Sequence, residues 1–476
     1  ASDGNSDCDV DMLMDMGLQP QPAVPPGRGG LPPAIGQLED VFRWPTVALD
    51  SLSKLLGPSN IRSSLLGQPL TTSSHFSGIG TAEVAASMLR QAAAEFVELQ
   101  PWRVAFVCEN NTSCCKALSL RHLKCCILLD VLDNCVSDRL THALASKSVD
   151  YRQVSEIIMD SFVLGPQRCV EHKQQCSRTP LKAGVHIDIS GSPCQPFSRA
   201  GKRKGTSDPR ICLILGWIAW VKKALPYIVI HENVQDFEKA ILHEHLEDNY
   251  QIVHLVVRPA DCGFTCINRV RLYSVLVRHG CVCVTYDIQA AFAHVRQVFE
   301  AARLSVPLAR TFLGSAENAL AEENKARAAR SLEPVNQVSS DWTYLLTESQ
   351  KRFLGRYNEK WLGARRRPPE DDPSCVFNLG QDPMKRCCWT SSKGLLPTLL
   401  HSGGRLWVPS LKRWLLPLEL AAMSGFPVTE ALARAGRVSV DTCSDVYTQA
   451  QLGNGMHVSS VGIVLMCVLA CTRLQT

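Results

Sequence analysis

One cysteine of this chain stands where a thiol could do chemistry. Cys194 lies in the segment GSPCQPFS, residues 191–198, on a proline-bracketed loop directly after the apolar run at residues 185–189. Such a run predicts a strand, and open α/β sheets place their reactive groups at the carboxyl ends of their strands. A thiolate held there is a candidate nucleophile. The tripeptide Pro-Cys-Gln alone is a weak signal, so its meaning depends on its neighbours.

Further polar groups follow other strand-like runs. Glu232 comes directly after the run at residues 227–230 and could donate or accept a proton beside Cys194. Arg269 and Arg271 are two positions apart, which predicts a shared face of a strand, and a surface ion pair is the alternative interpretation. A Gly-Asn turn at residues 453–454 opens the last helical stretch.

The segment HFSGIGTAE at residues 75–83 has the pattern of a strand, a glycine turn and a helix start. Glycines let the backbone approach a nucleotide-like ligand, although a simple tight turn has the same pattern. Glu109 ends the next strand-like run, where an acid can accept hydrogen bonds from two ribose hydroxyls. Asp130 ends the third, within reach of an adenine. The lack of a glycine-rich phosphate cradle favours S-adenosylmethionine over NAD.

Strand-like and helical stretches alternate around these motifs. This alternation predicts an α/β fold with a mostly parallel sheet and helices on both faces. We expect an acidic, Pro/Gly-rich and partly disordered leader, a catalytic and cofactor-binding core, a smaller lobe and a C-terminal return to the core. Their predicted bounds are residues 1–70, 71–281, 282–400 and 401–476, and residues 137–183 have the length of an insertion.

Composition narrows the class of protein. The 476 residues are 45% hydrophobic and 20% charged with a net charge of +5, a balance that permits nucleic-acid binding without arguing for it. The 21 cysteines include adjacent pairs, which favours a reduced intracellular protein. The apolar stretch at residues 461–471 is too short to span a bilayer, so we expect no membrane partner. Cys169, His172 and Cys176 have no fourth ligand at a suitable spacing, and the sequence predicts no metal site.

Taken in order, the motifs resemble the cytosine-5 DNA methyltransferase family. The matching segments are FSGIG at residues 76–80, PCQPFS at 193–198, ENV at 232–234, RVR at 269–271 and GN at 453–454, and residues 405–427 resemble the family's penultimate motif. The resemblance covers residues 71–278 and 385–470. It implies a Rossmann-like S-adenosylmethionine-dependent methyltransferase sheet with a smaller inserted target-recognition lobe. It also implies double-stranded DNA as partner and, in a eukaryote, a nuclear location.

The same resemblance implies a role for each site residue. Cys194 would attack C6 of a flipped cytosine, Glu232 would hold N3 and the exocyclic amine and supply a proton, and Arg269 and Arg271 would bind the pyrimidine carbonyl. The implied cofactor pocket consists of Phe76, Gly78, Ile79, Glu109, Asp130, Pro193, Leu213 and Asn454. The implied DNA-contacting loop contains Arg199, Lys202, Arg203 and Lys204.

The chain departs from the family pattern at Ile267, where glutamine is usual. None of the reacting groups is removed by this change, and we expect activity. Two alternatives stay open at this point. One is a tRNA cytosine-5 methyltransferase of the same fold, and the other is a weakly active or non-catalytic DNA-binding homologue.

Overall fold

The computed structural model describes residues 36–475 except residues 134, 136–137, 146–148, 178–183, 199–202, 303–305, 393, 398 and 400–403. Of residues 177, 444 and 445 only the backbone is described. The acidic part of the predicted leader, residues 1–35, and the predicted DNA-contacting residues Arg199 and Lys202 therefore lie outside the described residues.

The described residues form fourteen strands and sixteen α-helices. The strands are β1 (Leu70–His75), β2 (Trp102–Cys108), β3 (Cys126–Leu128), β4 (Pro166–Arg168), β5 (Gln175–Ser177), β6 (Ile187–Gly191), β7 (Ile228–Asn233), β8 (Tyr250–Val257), β9 (Arg271–Arg278), β10 (Val282–Val284), β11 (Phe377–Asn378), β12 (Leu406–Val408), β13 (Arg413–Trp414) and β14 (Thr472–Leu474). The helices are α1 (Leu38–Phe42), α2 (Trp44–Leu56), α3 (Pro58–Ser63), α4 (Thr81–Ala93), α5 (Thr112–Leu120), α6 (Asp138–Leu144), α7 (Tyr151–Ser161), α8 (Ile211–Ala224), α9 (Ala240–Leu246), α10 (Ile288–Ala302), α11 (Ala316–Ala328), α12 (Glu348–Arg365), α13 (Pro417–Met423), α14 (Glu430–Gly436), α15 (Gln449–Asn454) and α16 (Val458–Ala470).

Seven strands form the central sheet, in the order β3-β2-β1-β6-β7-β9-β8. Neighbours from β3 to β7 are parallel, and β9 is antiparallel to both β7 and β8. The strand order reverses between β1 and β6, and open α/β sheets form a ligand crevice outside the carboxyl ends at such a switch point. The loop after β1 carries the FSGIG segment, and the loop after β6 carries Cys194. These two loops therefore lie side by side. The expected α/β class and mostly parallel sheet are confirmed.

Helices cover both faces of the sheet because the central strands bury side chains on both sides. Ile228 and Ile230 of β7 face one apolar cluster, which includes residues of α2, α4, α10 and α16. Val229 faces the other, which includes residues of α7, α8 and α9. Strands buried on both faces are typical of parallel sheets.

Helix α16 lies at the centre of the helical layer that includes α2, α4 and α10. All thirteen side chains of α16 are buried, and the helix packs against α2, α4 and α10. Among the described residues, the stretch Gln449–Ala470 is long and apolar enough to cross a membrane, but 83% of its apolar 18-residue window is buried inside the fold. Its hydrophobicity is therefore explained by its position in the core.

Residues 36–69 belong to the folded unit, although the sequence predicted a leader as far as residue 70. The short helices α1, α2 and α3 bury Phe42, Trp44 and Leu49 completely in the same apolar cluster as α16. The apolar residues of this segment recur at helical spacing and so form one apolar face. That face packs against the helices that cover the sheet.

The smaller lobe has its own apolar cluster, but its limits differ from the predicted 282–400. Helix α10 packs against α2 and α16 and is part of the main unit. The cluster of the lobe consists of Ala319, Trp342, Leu346, Tyr357, Trp361, Cys375, Phe377, Leu379, Trp407, Trp414 and Leu416. The aromatic residues of β12 and β13, predicted to belong to the core, thus complete the lobe.

The predicted insertion at residues 137–183 contains α6, α7 and the antiparallel hairpin β4–β5. Residue Cys169, just after β4, forms a bridge with Leu128 of the edge strand β3. This docking brings Cys169, His172 and Cys176 next to Cys126 of β3, a fourth candidate metal ligand. We expected no metal site because no fourth ligand followed the three residues at a suitable spacing. Cys126 comes from a distant part of the chain, so spacing along the chain did not reveal it.

Candidate active site

The loop after β6 is held by side chains from β7. Ser192 Oγ and His231 Nε2 share a hydrogen bond of 2.7 Å. Asn233 Nδ2 donates to Ser192 Oγ at 2.9 Å and to the Ser192 carbonyl at 3.3 Å. His231 stacks on Trp217 of α8 at 4.7 Å, and burial lowers the pKa of His231 to about 3, so this imidazole is neutral. These contacts fix the start of the Cys194 loop.

Cys194 itself begins a tight turn. The backbone N–H groups of Phe197 and Ser198 both donate to its carbonyl, at 3.0 and 2.8 Å. The Phe197 ring packs edge-on against Phe237 at 5.0 Å, which anchors the turn to the segment after β7. The side chain of Cys194 is half-buried. The turn thus places the thiol at the carboxyl edge of the sheet, as the sequence predicted.

Glu232 lies beside this loop because β6 and β7 pair in parallel with Gly191 next to Glu232. The side chain of Glu232 is almost fully buried. A Cβ on Gly191 would lie 3.4 Å from Glu232 Oε2 and 2.8 Å from Met456 Cε. Glycine at the end of β6 therefore keeps space for the Met456 side chain, which lies next to the carboxylate.

Arg271 is the first residue of β9, and its Nε lies 3.0 Å from Glu232 Oε1. The contact is an ion pair without hydrogen-bond geometry, so Glu232 Oε1 is a buried oxygen that lacks a hydrogen-bond partner within the described chain. Buried polar atoms are normally paired. This oxygen is therefore available to accept a hydrogen bond from a bound ligand.

Arg269 has different partners from Arg271, although the sequence predicted that the two act together. It precedes β9, is buried, and donates from Nη1 to the carbonyl of Gly453 at 2.9 Å and from Nη2 to the carbonyl of Gly455. Burial, together with the positive charge of Arg271, lowers its pKa to about 10. Arg269 thus holds the C-terminal Gly-Asn turn against the site, and Arg271 faces the carboxylate.

The charges around Cys194 act on its thiol in opposite directions. Burial and the nearby Glu232 carboxylate raise the pKa of Cys194, while Arg271 and Arg269 lower it, and the net effect is a raised pKa. The thiol of the free protein is therefore mostly protonated at neutral pH. Neutralising Glu232, by ligand or by proton, would favour the thiolate.

Three of the predicted cofactor residues come together at the ends of β1 and β2. Gly78 N donates to Glu109 Oε2 at 2.8 Å, and Asn111 N donates to Glu109 Oε1 at 2.8 Å. Burial raises the pKa of Glu109. Phe76 and Gly78 have positive φ angles of 54° and 55°, and nothing lies within 4 Å of a Cβ placed on Gly78. The loop is thus open around Gly78 and clamped by Glu109 to the end of β2.

The other predicted cofactor residues differ in burial. Asp130 follows β3 and accepts from Leu132 N at 2.9 Å. Ile79 is buried, Pro193 and Leu213 are half-buried, and Asn454 is exposed. The turn that carries Asn454 reaches the start of α4, since a Cβ on Gly455 would lie 3.4 Å from Thr81 Oγ1. Elements from both ends of the chain therefore meet at the switch point.

The described part of the predicted DNA-contacting loop lies on the surface. Arg203 forms an exposed ion pair of 3.3 Å with Asp236, and Lys204 is exposed. An open cleft of about 560 Å³ adjoins this part of the loop, and its lining includes Phe197, Arg203 and Glu238. The Cys194 turn borders this cleft through Phe197.

Sequence reasoning missed two groups. Tyr273 stands directly opposite Glu232 in the β7–β9 ladder, and its hydroxyl is buried without a hydrogen-bond partner among the described residues. Asp188, in the middle of β6, is fully buried and accepts hydrogen bonds from Ser73, Ser190 and Trp217 and pairs with His75 at 2.8 Å. An acid inside the apolar run at residues 185–189 is the signal that could have revealed Asp188.

Ile267, the departure from the family pattern, has a packing role. It is buried and bridges to Leu396 in parallel. Leu396 N donates to the Cys266 carbonyl at 2.8 Å. The backbone bridge thus joins the segment before Arg269 to the segment between β11 and β12, and Arg271 still reaches Glu232.

The strand order and the residues at its carboxyl edge define a Rossmann-like methyltransferase fold. The sequence model of the C-5 cytosine-specific DNA methylase family matches residues 173–450, more than half of the chain. The chain belongs to this family.

Individual relatives match less of the sequence. The type II methyltransferase M.AquIA of Picosynechococcus sp. is 47% identical over 51 residues, which are 11% of this chain and 21% of that protein, so the match spans about a fifth of its length. The solved structures of the S. pombe Dnmt2 methyltransferase and of the Entamoeba histolytica methyltransferase EhMeth have TM-scores of 0.41 and 0.40. They are 14% and 13% identical, and each comparison covers 84% of this chain and 98% of the other.

Proposed function

We propose that this protein is a DNA (cytosine-5-)-methyltransferase that uses S-adenosylmethionine and a covalent adduct through Cys194. The observation that carries the proposal is the convergence of Cys194, Glu232 and Arg271 at one edge of the sheet. The thiol, the carboxylate and the guanidinium lie on three adjacent elements. One buried oxygen of the carboxylate is 3.0 Å from the guanidinium and has no hydrogen-bond partner among the described residues. Membership of the cytosine-5 methylase family gives this arrangement its chemical meaning.

The residues of the crevice fit an adenosyl cofactor. Glu109 and Asp130 follow adjacent parallel strands, where carboxylates can accept hydrogen bonds from ribose hydroxyls and from an adenine amine. Nothing lies within 4 Å of a Cβ placed on Gly78, so the loop after β1 leaves room for a ligand at this position. When bound, S-adenosylmethionine supplies an electrophilic sulfonium methyl group. Phe76, Ile79, Pro193, Leu213 and Asn454 would hold the rest of the cofactor.

The protein side chains make C5 of cytosine reactive. The thiol proton of Cys194 passes to the Glu232 carboxylate, and the resulting thiolate forms a bond to C6. The electron pair of the C5–C6 double bond moves towards N3, which takes that proton from Glu232. Arg271 stabilises the charge that develops on the ring. After C5 has been methylated, it loses its proton to a base, the Cys194–C6 bond breaks to restore the double bond, and N3 returns its proton to Glu232.

A cytosine inside a duplex cannot reach Cys194, because C6 is stacked between its neighbours. The base must therefore rotate out of the helix into the site. Arg203 and Lys204 lie on the surface next to the Cys194 turn, where cationic side chains can contact phosphates. Together with Arg199 and Lys202 they form the proposed contact between the protein and the DNA backbone.

Covalent trapping tests the proposal. A duplex that contains 5-fluorocytosine cannot lose the group on C5, so an active enzyme and cofactor should give a protein–DNA adduct. We expect the adduct with the native protein and with Cys283→Ser, which changes an exposed cysteine, and none with Cys194→Ala. No adduct with duplexes of any sequence context would contradict the proposal and support a non-catalytic homologue.

The choice of nucleic acid needs a separate measurement. Methyl incorporation from labelled cofactor should be compared with duplex DNA and with tRNA as substrates. Label in DNA that is abolished by Cys194→Ala supports DNA methylation. Label in tRNA alone would assign the same chemistry to tRNA instead.

A further inference from the structure

A cluster of three cysteines and one histidine lies away from the active site, at the edge of the sheet. Cys126 is the first residue of β3, and Cys169, His172 and Cys176 come from the β4–β5 hairpin and its turn. The three sulfur atoms and one ring nitrogen all lie within 4.8 Å of one another. The residues come from two separate parts of the chain, so the fold has brought them together.

The distances match those of a tetrahedral metal site. His172 Nδ1 lies 3.5 Å from the sulfur of Cys126, 3.5 Å from that of Cys169 and 3.5 Å from that of Cys176. With Zn–S bonds of about 2.3 Å and Zn–N bonds of about 2.0 Å, tetrahedral angles require an S···N separation of about 3.5 Å. One nitrogen at equal distance from three sulfurs is therefore the geometry that a single bound ion would impose.

The backbone of the hairpin supports the same arrangement. Cys169 and His172 are separated by two residues, and His172 N donates to Cys169 Sγ at 3.5 Å, which turns the sulfur towards the imidazole. Lys173, with φ of 54°, reverses the chain, and Cys169 N donates to the Gln174 carbonyl at 2.9 Å. Cys176 lies opposite Gln167 in the β4–β5 ladder. The turn thus presents three ligand atoms in one direction.

We propose that Cys126, Cys169, His172 and Cys176 bind one zinc ion in a closed structural site. Three thiolates and one imidazole form a ligand set that zinc adopts in structural sites, and soft sulfur ligands select against magnesium and calcium. Four protein ligands leave no open position for substrate. The site therefore has a structural role, and it is independent of the proposed function.

The ion would fasten the hairpin to the edge of the sheet. Val170 N donates to the Ile127 carbonyl at 2.8 Å, and Gln167 Nε2 donates to the Asp130 carbonyl at 2.9 Å. The hairpin therefore covers part of the edge strand β3, whose free backbone groups would otherwise be exposed, and supports the segment that carries Asp130. Removing the ion should loosen the hairpin and the end of β3 together.

Metal content of the full-length protein tests this proposal. We expect about one zinc ion per chain by elemental mass spectrometry after purification from zinc-supplemented cells. His172→Ala removes a solvent-exposed side chain and Cys126→Ala removes the ligand from β3, and both should lower the zinc content at least about fivefold. Cys283→Ser, at an exposed cysteine outside the cluster, should keep it unchanged.

Two further measurements separate metal binding from a folding defect. His172→Cys keeps four ligands and should retain about one zinc ion per chain. Replacement of zinc by cobalt should give the intense visible bands of tetrahedral cobalt with thiolate ligands in the native protein and not in Cys126→Ala. Zinc-free native protein, zinc retained in both alanine variants, or a native disulfide between two of these cysteines by mass spectrometry would each overturn the proposal.

Discussion

Glu232 of β7 and Arg271 of β9 meet across an antiparallel strand pair, with Glu232 Oε1 3.0 Å from Arg271 Nε. Glu232 is in register with Tyr273, so Arg271 is its diagonal neighbour on the same face of the sheet. The pair adjoins the Cys194 loop, because Gly191 at the end of β6 is next to Glu232. The proton affinity of Cys194 therefore depends on both charges.

Neutral replacements of the two charges should move the pKa of Cys194 in opposite directions. Glu232→Gln removes a negative charge that raises this pKa, and Arg271→Met removes a positive charge that lowers it. The alkylation of Cys194 by iodoacetamide, followed by peptide mass spectrometry at a series of pH values, should have its midpoint at lower pH in Glu232→Gln and at higher pH in Arg271→Met. Alkylation of the exposed Cys283 in the same samples is the control. Midpoints that move in the same direction would contradict the assignment.

Glu109→Gln should weaken cofactor binding. The carboxylate accepts two backbone hydrogen bonds that clamp the loop after β1, and we propose that it also binds the ribose. Loss of a charged acceptor costs about 1.5–3 kcal/mol, so the Kd for S-adenosylmethionine by calorimetry should rise about 10- to 100-fold. Glu98→Gln, at an exposed glutamate, should leave the Kd unchanged. An unchanged Kd in Glu109→Gln would remove Glu109 from the proposed pocket.

Asp188→Asn should destabilise the fold and alter its pH dependence. Burial raises the pKa of Asp188, but His75, Ser190 and Ser73 lower it further, and the net effect is a lowered pKa. The stability from this carboxylate is therefore present above the ordinary aspartate pKa of about 3.9 and is lost as the pH falls through the lower folded-state pKa. Urea unfolding should show a loss of about 3 kcal/mol or more near pH 7 and a shallower acid limb in the variant.

The control for Asp188 is Asp50→Asn, which removes an exposed aspartate paired with Lys54 and should cost at most about 0.5 kcal/mol. An acid limb as steep in Asp188→Asn as in the native protein would show that the buried carboxylate is not responsible for the pH dependence.

The buried pair Arg413–Glu419 should be costly to break. Arg413 donates to Glu419 from Nη2 at 2.7 Å and from Nη1 at 3.0 Å, and Glu419 also accepts from Gly314 N at 2.9 Å. Arg413→Met leaves the buried carboxylate unpaired, and we expect a loss of about 3–5 kcal/mol in urea unfolding. Arg413→Met with Glu419→Leu should lose less than Arg413→Met alone.

A matched exposed pair gives the reference for Arg413. Lys351 and Glu348 on α12 are 2.9 Å apart but largely exposed, and Lys351→Met should cost at most about 0.5 kcal/mol. Equal losses of unfolding free energy in Arg413→Met and Lys351→Met would show that burial does not make the Arg413–Glu419 pair costlier to break.

Gly462→Ala should destabilise the core through Trp44. A Cβ at position 462 of α16 would lie 2.1 Å from Trp44 Cη2, and overpacking of this kind costs about 1–3 kcal/mol. Gly355→Ala on α12 has open space around its Cβ and should instead stabilise by about 0.5–1 kcal/mol. Both are measured by urea unfolding, and Trp44→Leu should reduce the cost of Gly462→Ala. Destabilisation that persists unchanged in Trp44→Leu would show that the two residues do not pack as described.

Motifs that follow strands could be predicted from the sequence because they depend on local pattern. The apolar runs before Cys194, Glu232 and Glu109 give strands with the expected order of elements, and parallel strands bring their carboxyl ends to one edge. The same local argument placed Arg269 and Arg271 on one face of a strand. Strand β9 begins only at Arg271, so Arg269 lies before it.

Contacts between distant parts of the chain were decided by the tertiary structure. Arg269 donates to the carbonyl of Gly453, 184 positions away. Trp44, which the sequence assigned to a leader, packs against Gly462 in the core. Cys126 joins the hairpin ligands only because Cys169 pairs with β3. Periodicity along a chain specifies which face of an element is apolar, whereas packing and strand register specify which faces meet. The sequence alone therefore determined the class of sheet and the position of Cys194 after a strand, and the tertiary structure decided the partner of each arginine and the fourth residue of the proposed metal site.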